Sequence, residues 1–398
     1  MSDATLAGEP GTAGGVRLER PRRVLFVDHA TIVGGAELVL AAHIRALDRR
    51  RFEPFVACTN ALPMLAKLYA DAGAGVHIVS MKRLKVAGPH ALWRLWRASR
   101  ELRTLAGSLN IDLVVGNTSR AAYVAVIGLW DSTIPVIWWV RDFYFGRALF
   151  RAFKHRVAKI LCVSHAIRRF YGGDADERFE VVHVGASIHS DLEAVSREQV
   201  RAERARWGFS DGELVVGFMG RLVSDKGAED ILDAVARVHA KNLRVRLLFV
   251  GEGKGQTGDI DARLREIVAA RQWSFAVFAG FQRAEALYYR LFDVFVLATR
   301  TPEPYATSVV QAMMAGTPVV ATATGGTPEL VRDRQTGMLV PPCAPERMAA
   351  AIEELLEDPS LRARVSEEAQ REVMLHNRED LLARRVESIY AGLISQAT

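Results

Sequence analysis

The chain has 398 residues, of which 49% are hydrophobic and 25% charged, with a formal net charge of +6 at pH 7. That length exceeds what one hydrophobic core covers and points to two domains of about 150 to 200 residues, while apolar runs such as 121–130 fall well short of the roughly 20 residues that span a bilayer. Three scattered cysteines, Cys58, Cys162 and Cys343, are too few for a disulfide framework or a cysteine metal cage and fit a reducing cytoplasm.

Residues 1–20 are rich in Gly, Ala, Thr and Glu, lack the apolar core of a signal peptide, and are expected to form a disordered tail. Arg23-Val24-Leu25-Phe26-Val27-Asp28 then reads as a buried strand, followed by Gly34-Gly35 and a helical period over 36–47. Further strands are predicted at 55–58, 76–79, 113–115, 136–140, 160–163 and 181–184, with helical patterns between most of them. Such alternation indicates a parallel sheet covered on both faces.

This first half is basic: residues 1–190 hold 26 Lys plus Arg against 16 Asp plus Glu, while the remainder holds 26 against 30. An anionic partner for that half is expected, whether phosphate, membrane surface or nucleic acid. The segment 91–103 sets Leu92, Trp93, Leu95, Trp96 and Leu102 at helical spacing among arginines. It suits either a core face with solvated cations or a helix resting on an anionic membrane. A second cluster, 141–159, interleaves Phe143, Tyr144, Phe145, Phe150 and Phe153 with Arg147, Arg151, Lys154, Arg156 and Lys159. It too fits an anionic acceptor or membrane surface, or an ordinary helix with one buried aromatic stripe.

After a polar stretch at 187–207, expected to hold a linker and a helix, a second series of strands is predicted at 214–219, 246–250, 275–279, 294–297, 318–321 and 338–340. The segment 359–394 is helical with mixed charge. The expected organisation is a tail at 1–20, Rossmann-like domains at 21–187 and 188–375, and a terminal helix at 376–398 that can pack back on the first domain.

The second domain carries the denser motifs. Gly220-Arg221-Leu222-Val223-Ser224-Asp225-Lys226-Gly227 follows a predicted strand, where a glycine allows a sharp turn and close approach of an anion to backbone N–H groups. Arg221 offers a planar fork for phosphate oxygens and Lys226 a compact charge. Glu303 lies in a Thr-Pro-Glu-Pro loop after the strand at 294–297. A helix follows, whose first N–H groups at Thr307, Ser308 and Val309 would face an anion, with Gln311 on its first turns. Gly325-Gly326-Thr327-Pro328-Glu329 brings backbone close to a ligand or a neighbouring strand, and Thr327-Pro328 also suits a helix start. Each motif alone is compatible with an ordinary turn or cap.

Taken in order, Gly220-Arg221…Lys226-Gly227, Phe249-Val250-Gly251-Glu252-Gly253, Ala279-Gly280-Phe281, Glu303…Gln311-Ala312-Met313-Met314-Ala315-Gly316-Thr317-Pro318 and Gly325-Gly326-Thr327-Pro328-Glu329 closely resemble glycosyltransferase family 4. The resemblance runs from about Arg23 to the end and is stronger in the second domain. It implies the GT-B fold, an α/β architecture of two Rossmann-like domains facing each other across a cleft. It also implies retaining transfer of a sugar from a nucleoside-diphosphate (NDP) sugar, as donor substrate, to a hydroxyl acceptor, with no cofactor and no metal.

By the same resemblance Arg221, Lys226 and Glu303 are the catalytic set: the two cations bind the diphosphate and stabilise its developing charge, and Glu303 contacts the donor sugar. Gly34, Gly35, Gly220, Phe281, Thr307, Ser308, Val309 and Gln311 complete the donor site. Glu37, Arg141 and Asp142 lie on the acceptor side. Gln311 stands where many relatives carry a second glutamate that binds the ribose, and Trp138-Trp139-Val140-Arg141-Asp142 lacks the histidine common there. Val184-Gly185-Ala186 replaces a common Asn-Gly, and Ala306 a glycine.

Two alternatives stay open: a nucleotide-sugar epimerase of the same fold, and a non-catalytic partner subunit. No Gly-x-Ser-x-Gly elbow marks a hydrolase, and no Gly-x-Gly-x-x-Gly follows the first strand as a nicotinamide enzyme would require. His29, His43, His77, His90, His155, His165, His183 and His189 show no paired spacing, so none is assigned to metal or catalysis. The expected partners are donor, acceptor (a glycan, lipid-linked sugar or small molecule) and the inner face of the cytoplasmic membrane, without nucleic acid. Polysaccharide or lipid-linked glycan synthesis is the expected context.

Overall fold

A computed structural model describes residues 20–31, 33–59, 63–81, 89–143, 147–186, 188–253 and 259–397. The expected tail lies outside the described residues except for Arg20, which is ion-paired with Asp112 at 2.9 Å and so belongs to the folded domain.

Among the described residues thirteen strands form two sheets. The first contains β1 (Arg22–Asp28), β2 (Phe52–Cys58), β3 (Gly75–Ile78), β4 (Leu113–Gly116), β5 (Val136–Val140), β6 (Lys159–Cys162) and β7 (Phe179–Val181) in the order β3-β2-β1-β4-β5-β6-β7. The second contains β8 (Leu214–Met219), β9 (Val245–Val250), β10 (Ala276–Gly280), β11 (Val294–Leu297), β12 (Val319–Thr322) and β13 (Met338–Val340) in the order β10-β9-β8-β11-β12-β13. Every pairing is parallel.

The central strands are apolar throughout because helices cover both faces. Val24 to Val27, Val136 to Val140 and Val294 to Leu297 are buried without alternation. Each fully buried Leu, Ile, Val or Phe contributes roughly 1.5–3 kcal/mol by leaving water. In both sheets the chain first winds outward on one side of its opening strand, then returns to the other side. This places a topological switch point between β1 and β4 and another between β8 and β11, the positions where open α/β sheets leave a crevice at the strands' carboxyl ends.

Two crossings join the domains, and they run side by side. After β7 the chain passes through His183 and Val184 towards the short helix His189–Ala194, which explains why the strand expected at 181–184 ends at Val181. The return crossing divides the helical stretch expected at 359–394 into Pro359–His376 and Glu379–Ala397, the second of which is the expected terminal helix. Ala186 N–H donates to Asn377 O at 2.9 Å, and the Asn377 side chain donates to Val184 O at 3.0 Å.

The last helix, Glu379–Ala397, packs on the first domain beside the helix Gly35–Ala46. His43 meets Tyr390 at 3.2 Å, and Asp48 N–H donates to Glu387 at 2.7 Å. This helix is therefore part of the first domain's packing.

The helix Pro89–Ser108 corrects one of the two readings of its tryptophans. Leu102 is buried and Leu95 packs against the core, but Leu92, Trp93 and Trp96 are 66%, 55% and 54% exposed. Those three are not core residues. In the neighbouring cluster Phe150 is buried and Phe153 half-buried against Tyr123, while Lys154 is paired with Asp176 at 3.1 Å. Tyr144, Phe145 and the side chain of Arg147 lie outside the described residues.

Candidate functional site

Three loops of the second domain meet at the β8/β11 switch point, and glycines set their spacing. Gly227, at the end of the loop after β8, has φ +65°, and a Cβ there would lie 2.0 Å from Ala298 O at the end of β11. Gly325, after β12, has φ +55°, and its Cβ would lie 2.1 Å from Glu303 O. Neither position accepts a side chain. Gly326 N–H also donates to Glu303 O at 2.7 Å, so the glycine pair positions the loop that carries the acid.

Within this frame Lys226 Nζ donates to Glu303 Oε2 at 2.5 Å, and the buried Thr299 hydroxyl reaches the same oxygen at 3.4 Å. Arg300 fixes the two loops to each other. Its N–H donates to Asp225 O at 2.9 Å, and its guanidinium holds Asp230 through two bonds of 2.7 and 2.9 Å and Glu229 through one of 2.9 Å. The bidentate bond to Asp230 pushes its pKa above the ordinary guanidinium value, against the opposing effect of burial. Sequence reasoning gave Arg300 no role, because neither acid is near it in the chain.

Arg221 is exposed at the start of the loop after β8, beside Gly220, while Leu222 and Val223 are buried beneath it. Phe281 follows the edge strand β10 and is 66% exposed, its N–H donating to Glu252 at 3.2 Å. Of the three expected anion-facing amides, Val309 N–H already donates to Ala306 O at 3.0 Å. That takes it out of the set and leaves Thr307 and Ser308 at the half-buried start of the helix Thr307–Met314.

Gln311 is neither solvent-facing nor uncommitted. Its Nε2 donates to Glu285 at 2.7 Å and its Oε1 accepts from the Tyr289 hydroxyl at 3.0 Å. Burial pushes the Glu285 pKa up; the bond from Gln311 opposes that, and Asp191 adds to it. A carboxylate therefore remains next to the position where relatives carry their second glutamate, contributed by a different helix.

The first domain presents its own switch-point cluster. Asp28, buried at the end of β1, accepts from the Tyr69 hydroxyl, from Asn117 at 3.2 Å and from Ala30 N–H at 2.8 Å. Gly34 N–H donates to Glu37 at 2.8 Å, and Gly35 opens the helix Gly35–Ala46. Burial, with Asp28 nearby, pushes the Glu37 pKa up to about 7, against the opposing bonds from backbone N–H groups and the charge of Arg141.

Arg141, at the end of β5, is buried over the Trp139 ring at 4.2 Å. Its Nε and Nη2 have no hydrogen-bond partner among the described residues. Burial lowers its pKa to about 10 despite Glu379 and Glu37 nearby. Asp142 is half-buried, and its carbonyl accepts from the Tyr171 hydroxyl at 3.2 Å. Glu37 and Arg141 thus lie close enough for their charges to interact. His29, also unassigned from sequence, is held neutral: burial lowers its pKa to about 4, and its Nδ1 lies 2.6 Å from the Thr118 hydroxyl.

Between the domains, Glu329 spans the cleft. Its carboxylate accepts from His165 N–H at 2.8 Å and Ala166 N–H at 2.7 Å, and lies 3.3 Å from His183 Nε2. Burial alone would raise its pKa, but the bond from His183 and those two N–H groups outweigh it and hold the carboxyl below its ordinary value. Glu329 is therefore an interdomain contact at the end of the short 3-10 turn Thr327–Glu329, a role that a local cap signal does not reveal.

Comparison with known proteins fits this geometry. The family model described as Glycosyltransferase Family 4 matches residues 33–189, and that described as Glycosyl transferases group 1 matches residues 199–372. An alpha-D-kanosaminyltransferase of Streptomyces kanamyceticus is 30% identical over 219 residues, covering 54% of this chain and 55% of that protein. A D-inositol 3-phosphate glycosyltransferase of Segniliparus rotundus is 34% identical over 202 residues, covering 50% and 43%. The matched stretch thus spans about half the length of these curated relatives.

Among solved structures, Anabaena Alr3699/HepE in complex with UDP and glucose superposes with a TM-score of 0.80 at 22% identity, covering 93% of this chain and 100% of that one. A glycosyltransferase from Rickettsia africae superposes with a TM-score of 0.81 at 17% identity, covering 94% and 99%. At such identities the likeness is one of fold, and the fold is GT-B.

Proposed function

The chain belongs to the glycosyltransferases of family 4, and from that premise we propose that it transfers a sugar from an NDP-sugar to a hydroxyl acceptor with retention of configuration. The observation that carries this reading is the Lys226–Glu303 pair at the β8/β11 switch point. The UDP and UDP-glucose complexes of the Anabaena protein support a nucleotide-sugar donor here.

In this reading Lys226 and Arg221 hold the diphosphate. As the bond from the sugar C1 to the phosphate oxygen breaks, its electron pair moves onto that oxygen, and the two cations neutralise the charge as it develops. Such preorganised stabilisation is usually a large catalytic term. Glu303 holds the donor sugar, and Thr307 and Ser308 N–H groups add to the anion's cradle. The acceptor oxygen bonds to C1 on the face the diphosphate leaves, and its proton passes to the departing phosphate. The reaction as proposed uses no metal ion and no cofactor. Gln311 with Glu285 offers the ribose an amide and a carboxyl side by side.

Glu37 and Arg141 line the acceptor side. The exposed Leu92, Trp93 and Trp96, with Arg97 over Trp93 at 5.7 Å and Arg100 over Trp96 at 5.5 Å, support a position on an anionic membrane surface. An acceptor presented there, as in polysaccharide or lipid-linked glycan synthesis, follows from that placement. No helix among the described residues is long and apolar enough to cross a membrane. The family matches favour neither an epimerase nor a non-catalytic subunit.

The test is incubation with NDP-sugars and lipid-extract or glycan acceptors. Release of NDP with formation of a glycoside of the donor's own anomeric configuration is expected. NDP-sugar isomerisation without transfer, or an inverted product, contradicts the proposal.

A further inference from the structure

Histidines without paired spacing in the sequence come together in the fold. His165 and His183 belong to the first domain and Glu329 to the second, 164 and 146 residues away. Each offers a ligand atom within 4.8 Å of the other two, and among the described residues this is the group of three His, Cys, Asp or Glu side chains so placed. We propose that His165, His183 and Glu329 form a site for one divalent transition-metal ion of the zinc type, bridging the two domains.

The ligand orientations favour such an ion. The His183 ring stacks on Tyr305, with centroids 4.9 Å apart and planes at 11°, which keeps Nε2 aimed at Glu329 3.3 Å away. Glu329 is itself oriented by the N–H groups of His165 and Ala166, as a metal-binding carboxylate is by its outer hydrogen bonds. His165 sits beside His183, with ring centroids 5.9 Å apart, and is exposed, so its ring is free to turn inward.

In a tetrahedral site with bonds of about 2.0–2.1 Å, ligand atoms stand roughly 3.4 Å apart. Rotation of the His165 side chain supplies the contraction required from 4.8 Å. Two imidazoles and one carboxylate select zinc, cobalt, nickel or copper over magnesium and calcium, which prefer all-oxygen sites.

The ion would act on domain arrangement and take no part in the reaction. Because its ligands come from both domains, it binds the arrangement seen in this structure and stabilises it by mass action. Its supports reach the donor loops: Tyr305 lies two residues after Glu303, and Gly326, three before Glu329, donates to Glu303 O. Metal binding would thereby hold the loop that carries the acid.

The experiment uses the tag-free full chain, dialysed against chelator and titrated with Co2+ and Zn2+ in the absence of nucleotide, so its outcome is independent of the donor-site reading. One equivalent of Co2+ with the visible absorption of tetrahedral coordination is expected, together with a rise in Tm on adding Zn2+. Binding should weaken at least about 10-fold in His165→Ala and in His183→Ala, and should persist in His155→Ala, a control for surface histidines. Glu329→Gln keeps an oxygen acceptor for one of the two N–H groups while removing the charged ligand, and should weaken binding likewise. No stoichiometric binding by the parent chain, or equal binding by parent and both histidine variants, would overturn the proposal.

Discussion

Lys226 and Glu303 stand 77 residues apart in the chain and 2.5 Å apart in the structure, one on the loop after β8 and the other on the loop after β11. The pair exists because the order in which strands are added to the second sheet reverses between those two parallel strands, and because Gly227 and Gly325 let the flanking loops lie against Ala298 and Glu303. A cation and an acid held there by the backbone do not wait for a ligand to be assembled.

Lys226→Ala should abolish transfer and leave the fold in place. The pair is part-buried, so leaving Glu303 without its partner costs about 1–3 kcal/mol in stability, whereas loss of a charge-stabilising donor costs roughly 100- to 1000-fold in kcat. Paired measurements of kcat and Tm check this; an active variant with unchanged kcat counts against the assignment.

Gly325→Ala should damage stability and activity together. Its φ of +55° and the 2.1 Å approach of a Cβ to Glu303 O force a backbone shift that carries the acid with it. A loss of about 1–3 kcal/mol by denaturant unfolding is expected, along with weaker nucleotide-sugar binding. Gly392→Ala, inside the last helix with open space around it, is the control and should stabilise by about 0.5–1 kcal/mol.

Folding stability should carry a signature of Glu37. Its folded pKa is raised from 4.5 to about 7 by burial, so the folded state binds the proton more tightly than the unfolded chain. The associated stability is fully present below about pH 4.5 and is lost as pH rises through about 7. Glu37→Gln, which is neutral throughout, should flatten that part of the stability profile; an unchanged slope would show that Glu37 does not titrate in that window.

Gln311→Glu should prove harmful even though it restores the residue many relatives carry. It replaces the amide donor to Glu285 by a second acid. The Glu285 pKa is already raised by burial, and a second charge would raise it further. The Tm deficit should therefore widen as pH increases above the carboxyl range and shrink below it. A variant as stable as the parent at neutral pH would mean that Glu285 moves away freely.

Membrane placement is checked by sedimentation with anionic vesicles. Trp93→Ala combined with Trp96→Ala should release the protein, since both rings are exposed and their removal disturbs no core packing. Retention of the double variant on vesicles contradicts a docking role for this helix.

Strand positions were legible because parallel strands covered on both faces are continuous apolar runs, and all thirteen expected segments correspond to strands, offset by a few residues at most. The largest displacement, at β7, arises where residues leave the sheet for the domain junction. The helix Pro89–Ser108 was legible as a helix, but its spacing could not say whether anything covers Trp93 and Trp96. Arg300, Glu285 and the His165–His183–Glu329 group escaped notice for one reason: their partners are distant in sequence, and only the tertiary fold brings them together.

The most direct test is thermal stabilisation of the parent protein and Lys226→Ala by UDP, GDP, ADP, dTDP and the matching sugar nucleotides. The account predicts a clear rise in Tm with one nucleotide series, absent in the variant, which would place the diphosphate on Lys226 and identify the base. Equal stabilisation of both proteins, or none of either, would contradict a donor site built on Lys226 and Glu303.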